Sequence, residues 1–237
     1  MWSWSIMKAK RTWAAYTHRG SCKPVNQDAF IIRKLSNGSD RVLFCAVADG
    51  VGGHGEGRMA SQLVVKELSK AWAHLVKTTE VRSIDIGVWY ERLFGALTAV
   101  NGILHEEYAS SGVLSATTCS FCLMDERNMH IAHIGDSRIF SVKKTVVCLT
   151  EDHVVKGKGV LTKCLGARPL LEADKVVRLT DPAEKIILAT DGFYKLVDKD
   201  MMKITQSKSA QKSLDHLIEE VTKKYRRDNL TLIICHI

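Results

Sequence analysis

Proline is scarce in this chain, with 3 among 237 residues, and nowhere do proline, glycine and serine gather into a linker. A chain of that length with no break in composition is expected to fold as one domain over 1–237, with ample material for a core. Long apolar runs are missing too. Stretches such as "VLFCAVA" are strand-sized and fall far short of the roughly 20 residues that cross a bilayer. The opening "MWSWSIMKAKR" lacks the apolar centre of a secretory leader, so a cytoplasmic protein with no membrane anchor is expected. Internal repeats and low-complexity tracts are absent. A composition with 46% hydrophobic and 25% charged residues is that of an ordinary globular protein and excludes a disordered one.

Cysteine is present in odd number, at Cys22, Cys45, Cys119, Cys122, Cys148, Cys164 and Cys235, scattered through apolar runs. That scatter argues against a disulfide scaffold and suits small buried thiols in a reducing compartment. "CSFC" at 119–122 and "HIAH" at 130–133 have the spacing of metal or redox pairs. Both lie in strand-like sequence, where residues three apart point to opposite faces, so neither pair is expected to chelate one ion. The net charge is +8, but the basic residues are dispersed. Their main cluster, "KKYRR" at 223–227, ends a helical pattern, where the helix dipole favours cations anyway. Aromatic residues do not interleave with the charge, which argues against a nucleic-acid platform and leaves attraction of acidic or phosphorylated partners.

Three segments have helical periodicity: 58–77, 88–108 and 210–226. Their apolar stripes include Val64, Leu68 and Trp72 in the first, Leu93, Leu97 and Val100 in the second, and Leu214, Leu217 and Tyr225 in the third. Strand-like segments fill much of the rest, at about 13–18, 28–34, 42–48, 115–124, 128–135, 137–142, 145–149, 174–180, 184–190 and 230–236. Many are apolar on both faces, as in sheets covered on both sides. Short turns such as "MDERN" at 124–128 join successive strands, which makes the pairing largely antiparallel. Helices outside antiparallel sheets give an α+β layered domain.

Two apolar runs end alike, in "FCAVADGVGGHGEG" at 44–57 and "KIILATDGFYKLVD" at 185–198. Asp-Gly is a common turn dipeptide, and one such site carries no further meaning. Here, however, Asp49 and Asp191 follow the ends of strands, and so does Asp136 in "HIAHIGDSRIF". Asp28 in "VNQDAFII" and Asp228 in "RRDNLTLII" stand at strand starts. In an antiparallel sheet the end of one strand lies beside the start of its neighbour, so all five carboxylates can gather on one rim. Their mutual repulsion calls for a cation, and an all-oxygen site suits Mg²⁺ or Mn²⁺.

With these residues in place the chain resembles the metal-dependent protein serine/threonine phosphatases of the 2C type, the PPM family. Six motifs in the family's order carry the resemblance over about 13–237: "RGSCKPVNQDAF"; "ADGVGGHGEGRMAS"; "SATTCSFCLMDERNMHIAHIGDSRIF"; "LTEDH" with "LTKCLG"; "ILATDGFYKLVD"; and "RRDNLTLIIC". It implies a four-layer α-β-β-α sandwich, two mainly antiparallel sheets flanked by helices, with the metal site at one end. The activity implied is hydrolysis of phosphoserine and phosphothreonine on proteins by a water bridging two divalent ions, Mn²⁺ or Mg²⁺. Residue by residue, it implies that Asp49 bridges both ions and that the Gly50 carbonyl ligates one. Asp191 and Asp228 complete the first ion's protein ligands, and Asp28 orients bound waters. Gly52, Gly53 and Gly57 let the backbone approach the site. Asp136 joins Asp191 in holding a third, weaker ion, whose water would protonate the leaving oxygen. Phosphoproteins made by a Ser/Thr kinase are the implied substrates, as for small stand-alone bacterial members, and a monomer is expected.

Several positions depart from the family's pattern. Gln27 stands where Glu is frequent, which removes a negative charge. Lys23 stands where an Arg usually grips the phosphate, with Arg19 close by as an alternative. Val51 occupies the position where some members carry a His proposed as general acid, and His54 reads as a structural residue of the turn. Only "VVKGKGV" separates His153 from Leu161, so the flap that commonly follows the "LTEDH" segment is nearly deleted over 154–160, and an open site is expected. Two other readings compete. A catalytically weak or inactive metal-binding member, acting as an interaction module, should have lost a ligand Asp, and none is lost. A basic nucleic-acid binder should show salt-sensitive binding and no metal-dependent turnover.

Overall fold

Strands that are apolar on both faces must be covered on both sides, and the computed structural model shows how this chain does it. It describes residues 12–37, 40–52, 55–80, 84–204, 209–224 and 227–236. The elements run β1 (Trp13–His18), β2 (Asp28–Asn37), β3 (Asp40–Val51), α1 (Glu56–Thr78), α2 (Ile86–Ser111), β4 (Ala116–Thr117), β5 (Cys119–Met124), β6 (Asn128–Ile134), β7 (Arg138–Val142), β8 (Val146–Cys148), β9 (Val154–Val155), β10 (Val160–Leu161), β11 (Asp174–Leu179), β12 (Lys185–Ala189), α3 (Asp191–Tyr194), α4 (Lys199–Ile204), α5 (Ala210–Thr222) and β13 (Leu230–His236).

Among the described residues two large antiparallel sheets form, in the orders β11-β6-β5-β3-β2, with β4 beside β3, and β1-β13-β12-β7-β8, while β9 and β10 pair apart from them. Alternation along each strand divides its side chains between two interiors. From β3, Phe44, Ala46 and Ala48 pack under α1 and α2. The intervening Leu43, Cys45 and Val47 meet Ile186, Leu188 and Ile233 of the other sheet. That second sheet turns Ile187, Ala189, Leu232 and Ile234 outward onto Phe193, Leu214, Leu217 and Val221 of α3 and α5. Helices, sheet, sheet and helices therefore stack in four layers. Cys119 faces the helices while Cys122 faces the other sheet, as their spacing requires, and all seven cysteines are free. Among the described residues, no helix is long and apolar enough to cross a membrane.

Local signals set the helix ends. The Asp85 carboxylate accepts from the Gly87 and Val88 N–H groups to start α2, and Gly112, at φ 69°, closes it with its N–H on the Tyr108 carbonyl. α5 stops at Thr222 rather than 226; Tyr225 and Arg226 lie outside the described residues, and with them part of the basic cluster. α3 and α4 were not expected from the pattern: four and six residues are too few to display a helical period. The "GDS" step after β6 does not return the chain to its own sheet. It carries the chain from the first sheet into β7 of the second, through Gly135 at φ 108°.

Near that crossing, His133 is 1% exposed. Its Nδ1 lies 2.8 Å from the Ser120 hydroxyl and its Nε2 donates to the Glu151 carbonyl at 2.8 Å. Burial lowers its pKa from 6.5 to about 4. A depressed histidine pKa gives stability that is present above pH 6.5 and lost as pH falls toward 4, because the unfolded chain binds the proton first. We expect His133→Gln, which keeps a donor and an acceptor but cannot titrate, to lose about 2–3 kcal/mol less stability than the wild type over that window. Urea unfolding at successive pH values checks this; parallel curves for the two proteins would show that His133 does not carry the acid sensitivity.

Candidate metal and phosphate site

The Asp28 and Asp49 Cα atoms are direct partners across β2 and β3. Cross-strand partners share a face, and here it is the inter-sheet face, where Phe30, Ile32, Cys45 and Val47 also point. Asp191 opens α3 after β12, Asp228 precedes β13, and Asp136 sits in the β6–β7 crossing. At this end of the sandwich Asp49, Asp136, Asp191 and Asp228 line one cleft of about 250 Å³, together with Lys23, Gln27, Gly50, Val51 and Thr118. Asp28 does not line it but stands behind, 8% exposed, its Oδ2 accepting from the hydroxyls of Thr190 (2.9 Å) and Thr231 (2.7 Å).

Backbone contacts hold these carboxylates. The Asp49 N–H donates to Thr118 Oγ1 at 3.0 Å, while the Thr118 N–H and the Thr117 hydroxyl donate to the Asp49 carbonyl at 2.9 and 2.8 Å. The glycines after Asp49 and Asp191 serve packing, not a turn. Neither Gly50 nor Gly192 has a positive φ. A Cβ on Gly50 would lie 2.2 Å from the Gly57 carbonyl oxygen and 2.7 Å from that of Gln27, and a Cβ on Gly192 2.0 Å from the Asn229 carbonyl oxygen. Asn229, which the sequence reading passed over, ties the loop carrying Lys23 to the start of β13. Its Nδ2 donates to the carbonyls of Arg19 (2.8 Å) and Val25 (3.1 Å), and its Oδ1 accepts from the Gln27 N–H (2.8 Å). Gly53 and His54 lie outside the described residues.

The electrostatics are those of crowded acids. Burial pushes Asp28 up to about 7, against the threonine hydrogen bonds, and the charges of Asp191 and Asp228 push the same way. Asp49 is raised well above the carboxylate range by burial and then by Asp28, Asp191, Asp136 and Asp228. Burial and Asp191 raise Asp136 to about 6. Two lysines answer this charge. Lys23 Nζ contacts Asp228 Oδ1 at 2.9 Å, and Lys195 Nζ contacts Asp191 Oδ2 at 2.5 Å. Lys195 had not been singled out from the sequence, and it stands where the resemblance implied that Asp191 would share a third ion with Asp136. Arg19 turns its guanidinium to the Lys23 carbonyl and does not line the cleft. The shortened flap is not a bare deletion: β9 and β10 pair as a small hairpin, and Gly159 and Leu161 form one wall of the cleft.

The donor set fits hard divalent cations. Asp28 Oδ1 is buried with no hydrogen-bond partner, and an acceptor left so is costly unless a cation or its water faces it. Among the described residues no three Asp, Glu, His or Cys side chains close on one point as a cage. Mg²⁺ and Mn²⁺ do not ask for one: they take a few carboxylate and carbonyl oxygens and keep several waters.

This fold and cleft place the chain among known proteins. The family model "Protein phosphatase 2C" matches residues 16–233, and the chain belongs to that family of serine/threonine protein phosphatases. A putative protein phosphatase 2C-type from Streptococcus pyogenes serotype M6 is 27% identical over 93% of this chain and 95% of its own. The S. agalactiae serine/threonine phosphatase superposes with a TM-score of 0.81 at 22% identity, over 96% of this chain and 100% of its own. The catalytic domain of the phosphatase PstP, solved in complex with two manganese ions, does so at 0.75 and 23% identity, over 95% and 97%.

The glycine contacts can be tested without any activity. We expect Gly192→Ala to cost about 2–3 kcal/mol, because its Cβ would meet backbone that cannot step aside. Gly95→Ala, on an exposed position of α2 with open space around it, should be neutral or stabilise by up to about 1 kcal/mol. Thermal melts of the two variants should therefore move in opposite directions. A harmless Gly192→Ala would show that the close contact is not required.

Proposed function

We propose that the chain hydrolyses phosphoserine and phosphothreonine on proteins with two divalent ions, Mn²⁺ or Mg²⁺, held in this cleft. The observation that carries the reading is the convergence of Asp49, Asp136, Asp191 and Asp228 on one cleft, with the unpartnered Asp28 Oδ1 behind it. Asp49 and the Gly50 carbonyl, with Asp191 and Asp228, would hold the ions, and Asp28 would accept from waters around them. Bound there, the ions would activate the attacking water and neutralise the phosphate dianion. The protein's own part is to keep four mutually repelling carboxylates in position, through strand pairing and the contacts at Gly50 and Gly192. Lys23 reaches over the cleft mouth, where its ammonium can pass from Asp228 to a phosphate oxygen. Lysine supplies charge there without the planar fork of arginine. The net charge of +8 draws phosphorylated substrates toward the surface. Products of a Ser/Thr kinase are the substrate class that suits this chemistry.

Asp49→Asn, Asp191→Asn and Asp228→Asn should each lower Mn²⁺-dependent turnover of a phosphoserine peptide by at least about a hundredfold, since metal assistance supplies several kcal/mol. In EDTA the Asp49→Asn protein should melt no lower than the wild type, because it removes a charge that burial disfavours. Near-wild-type turnover in any of the three at saturating Mn²⁺ would remove that residue from the site. Lys23→Ala should raise KM several-fold more than it lowers kcat, with little change in melting, since its ion pair with Asp228 is largely open to solvent. Lys23→Arg should restore KM. Wild-type kinetics in both variants would leave Lys23 as a solvated loop residue.

A further inference from the structure

We infer that the ammonium of Lys195 takes the place of a third cation between Asp136 and Asp191, so that this site binds two divalent ions and excludes another. The inference rests on the two-ion reading above and narrows it. Its basis is the local build of α3. Thr190 starts the single turn, Phe193 and Tyr194 anchor it in the outer core, and the Lys195 N–H closes it on the Asp191 carbonyl at 3.1 Å. A residue four along from Asp191 is thereby returned to the same side of the helix. The lysine side chain then lies back over the carboxylate, with Nζ 2.5 Å from Asp191 Oδ2.

Asp136 and Asp191 line the same cleft, so a third ion shared between them would compete with this ammonium for the Asp191 carboxylate. Lys195 also acts electrostatically on Asp136, whose charge it favours against burial. The other cations nearby are paired elsewhere: Lys23 contacts Asp228. Arg138 forms a two-pronged pair with Asp152, at 2.8 and 2.7 Å, and lies 4.0 Å over the Tyr194 ring. Lys195 is therefore, among the described residues, the cation in direct contact with the outer carboxylate pair. A divalent ion arriving there would have to displace the ammonium from Asp191 and then face its positive charge at close range. The Lys195 side chain is 61% exposed, so solvent screens much of that repulsion. Even a water-like dielectric leaves about a tenfold or greater loss of affinity for a doubly charged ion some 4 Å away. The lysine, unlike an ion, is present at every metal concentration.

The test is a count of Mn²⁺ bound to EDTA-stripped protein, by equilibrium dialysis up to millimolar free metal, with no activity needed. Two ions are expected in the wild type. Lys195→Asp should bind a third, weaker one, and adding Asp136→Asn to it should return the count to two. Lys195→Gln, which removes the charge without adding a ligand, should tighten any residual third binding by about tenfold relative to the wild type. Three ions in the wild type, or a Lys195→Asp protein that still binds two, would overturn the inference while leaving the two-ion reading intact. Fewer than two ions in the wild type would overturn both.

Discussion

Carboxylates crowded on one rim repel one another, and the strand ends that carry them hold them together against that repulsion. Asp28 and Asp49 face each other across β2 and β3, so their spacing is that of a strand pair and cannot relax without breaking the sheet. Asp191 and Asp228 come from the other sheet, and Asp136 from the step between the sheets. Folding thus assembles a charge density that no single element would tolerate. The cost is met locally: threonine hydroxyls on Asp28, lysines on Asp191 and Asp228, and protonation that burial favours at Asp28, Asp49 and Asp136. A divalent ion bound there would relieve the same repulsion more completely.

The layered fold and the carboxylate rim were legible because both follow from short-range rules. Strands apolar on both faces, such as 42–48, called for cover on both sides, helical periods marked α1, α2 and α5, and antiparallel pairing brought strand starts beside strand ends. What escaped the sequence reading depends on contacts between distant segments or on elements too short to carry a period. α3 is one turn long, so nothing placed Lys195 above Asp191 in advance. β9 and β10 have two residues each, and the flap read as a gap when it is a hairpin that walls the cleft. Asn229 looked like half of a weak Asp-Asn pair, whereas its amide binds a loop some two hundred residues earlier in the chain. Asp-Gly suggested a turn, because the sequence shows that glycine is small but not what it must be small for.

Charge outside the cleft follows a different logic. Arg178 pairs with Glu184, which is 1% exposed, and Arg138 with Asp152, and both pairs tie β-strands to neighbouring segments. Lys23 and Lys195, by contrast, are solvent-facing and held by single contacts. Arg138 and Arg178 are thus fork-shaped and fixed by paired contacts, while Lys23 and Lys195 over the cleft are flexible ammonium groups. That division would let the cleft exchange counter-charges without disturbing the sheets.

The contacts at Gly50 and Gly192 have a consequence for how such a protein can vary. The position of each carboxylate is set where main chain meets main chain, Gly50 against Gly57 and Gln27, and Gly192 against Asn229. Most side chains of the three hydrophobic layers make no part of those main-chain contacts, although Phe193 and Tyr194 anchor the turn that carries Asp191. Packing in those layers can be exchanged piece by piece, so long as volume and alternation are kept, while the pole of the molecule holds its dimensions. A chain only 22% identical to the S. agalactiae phosphatase can therefore keep the same frame.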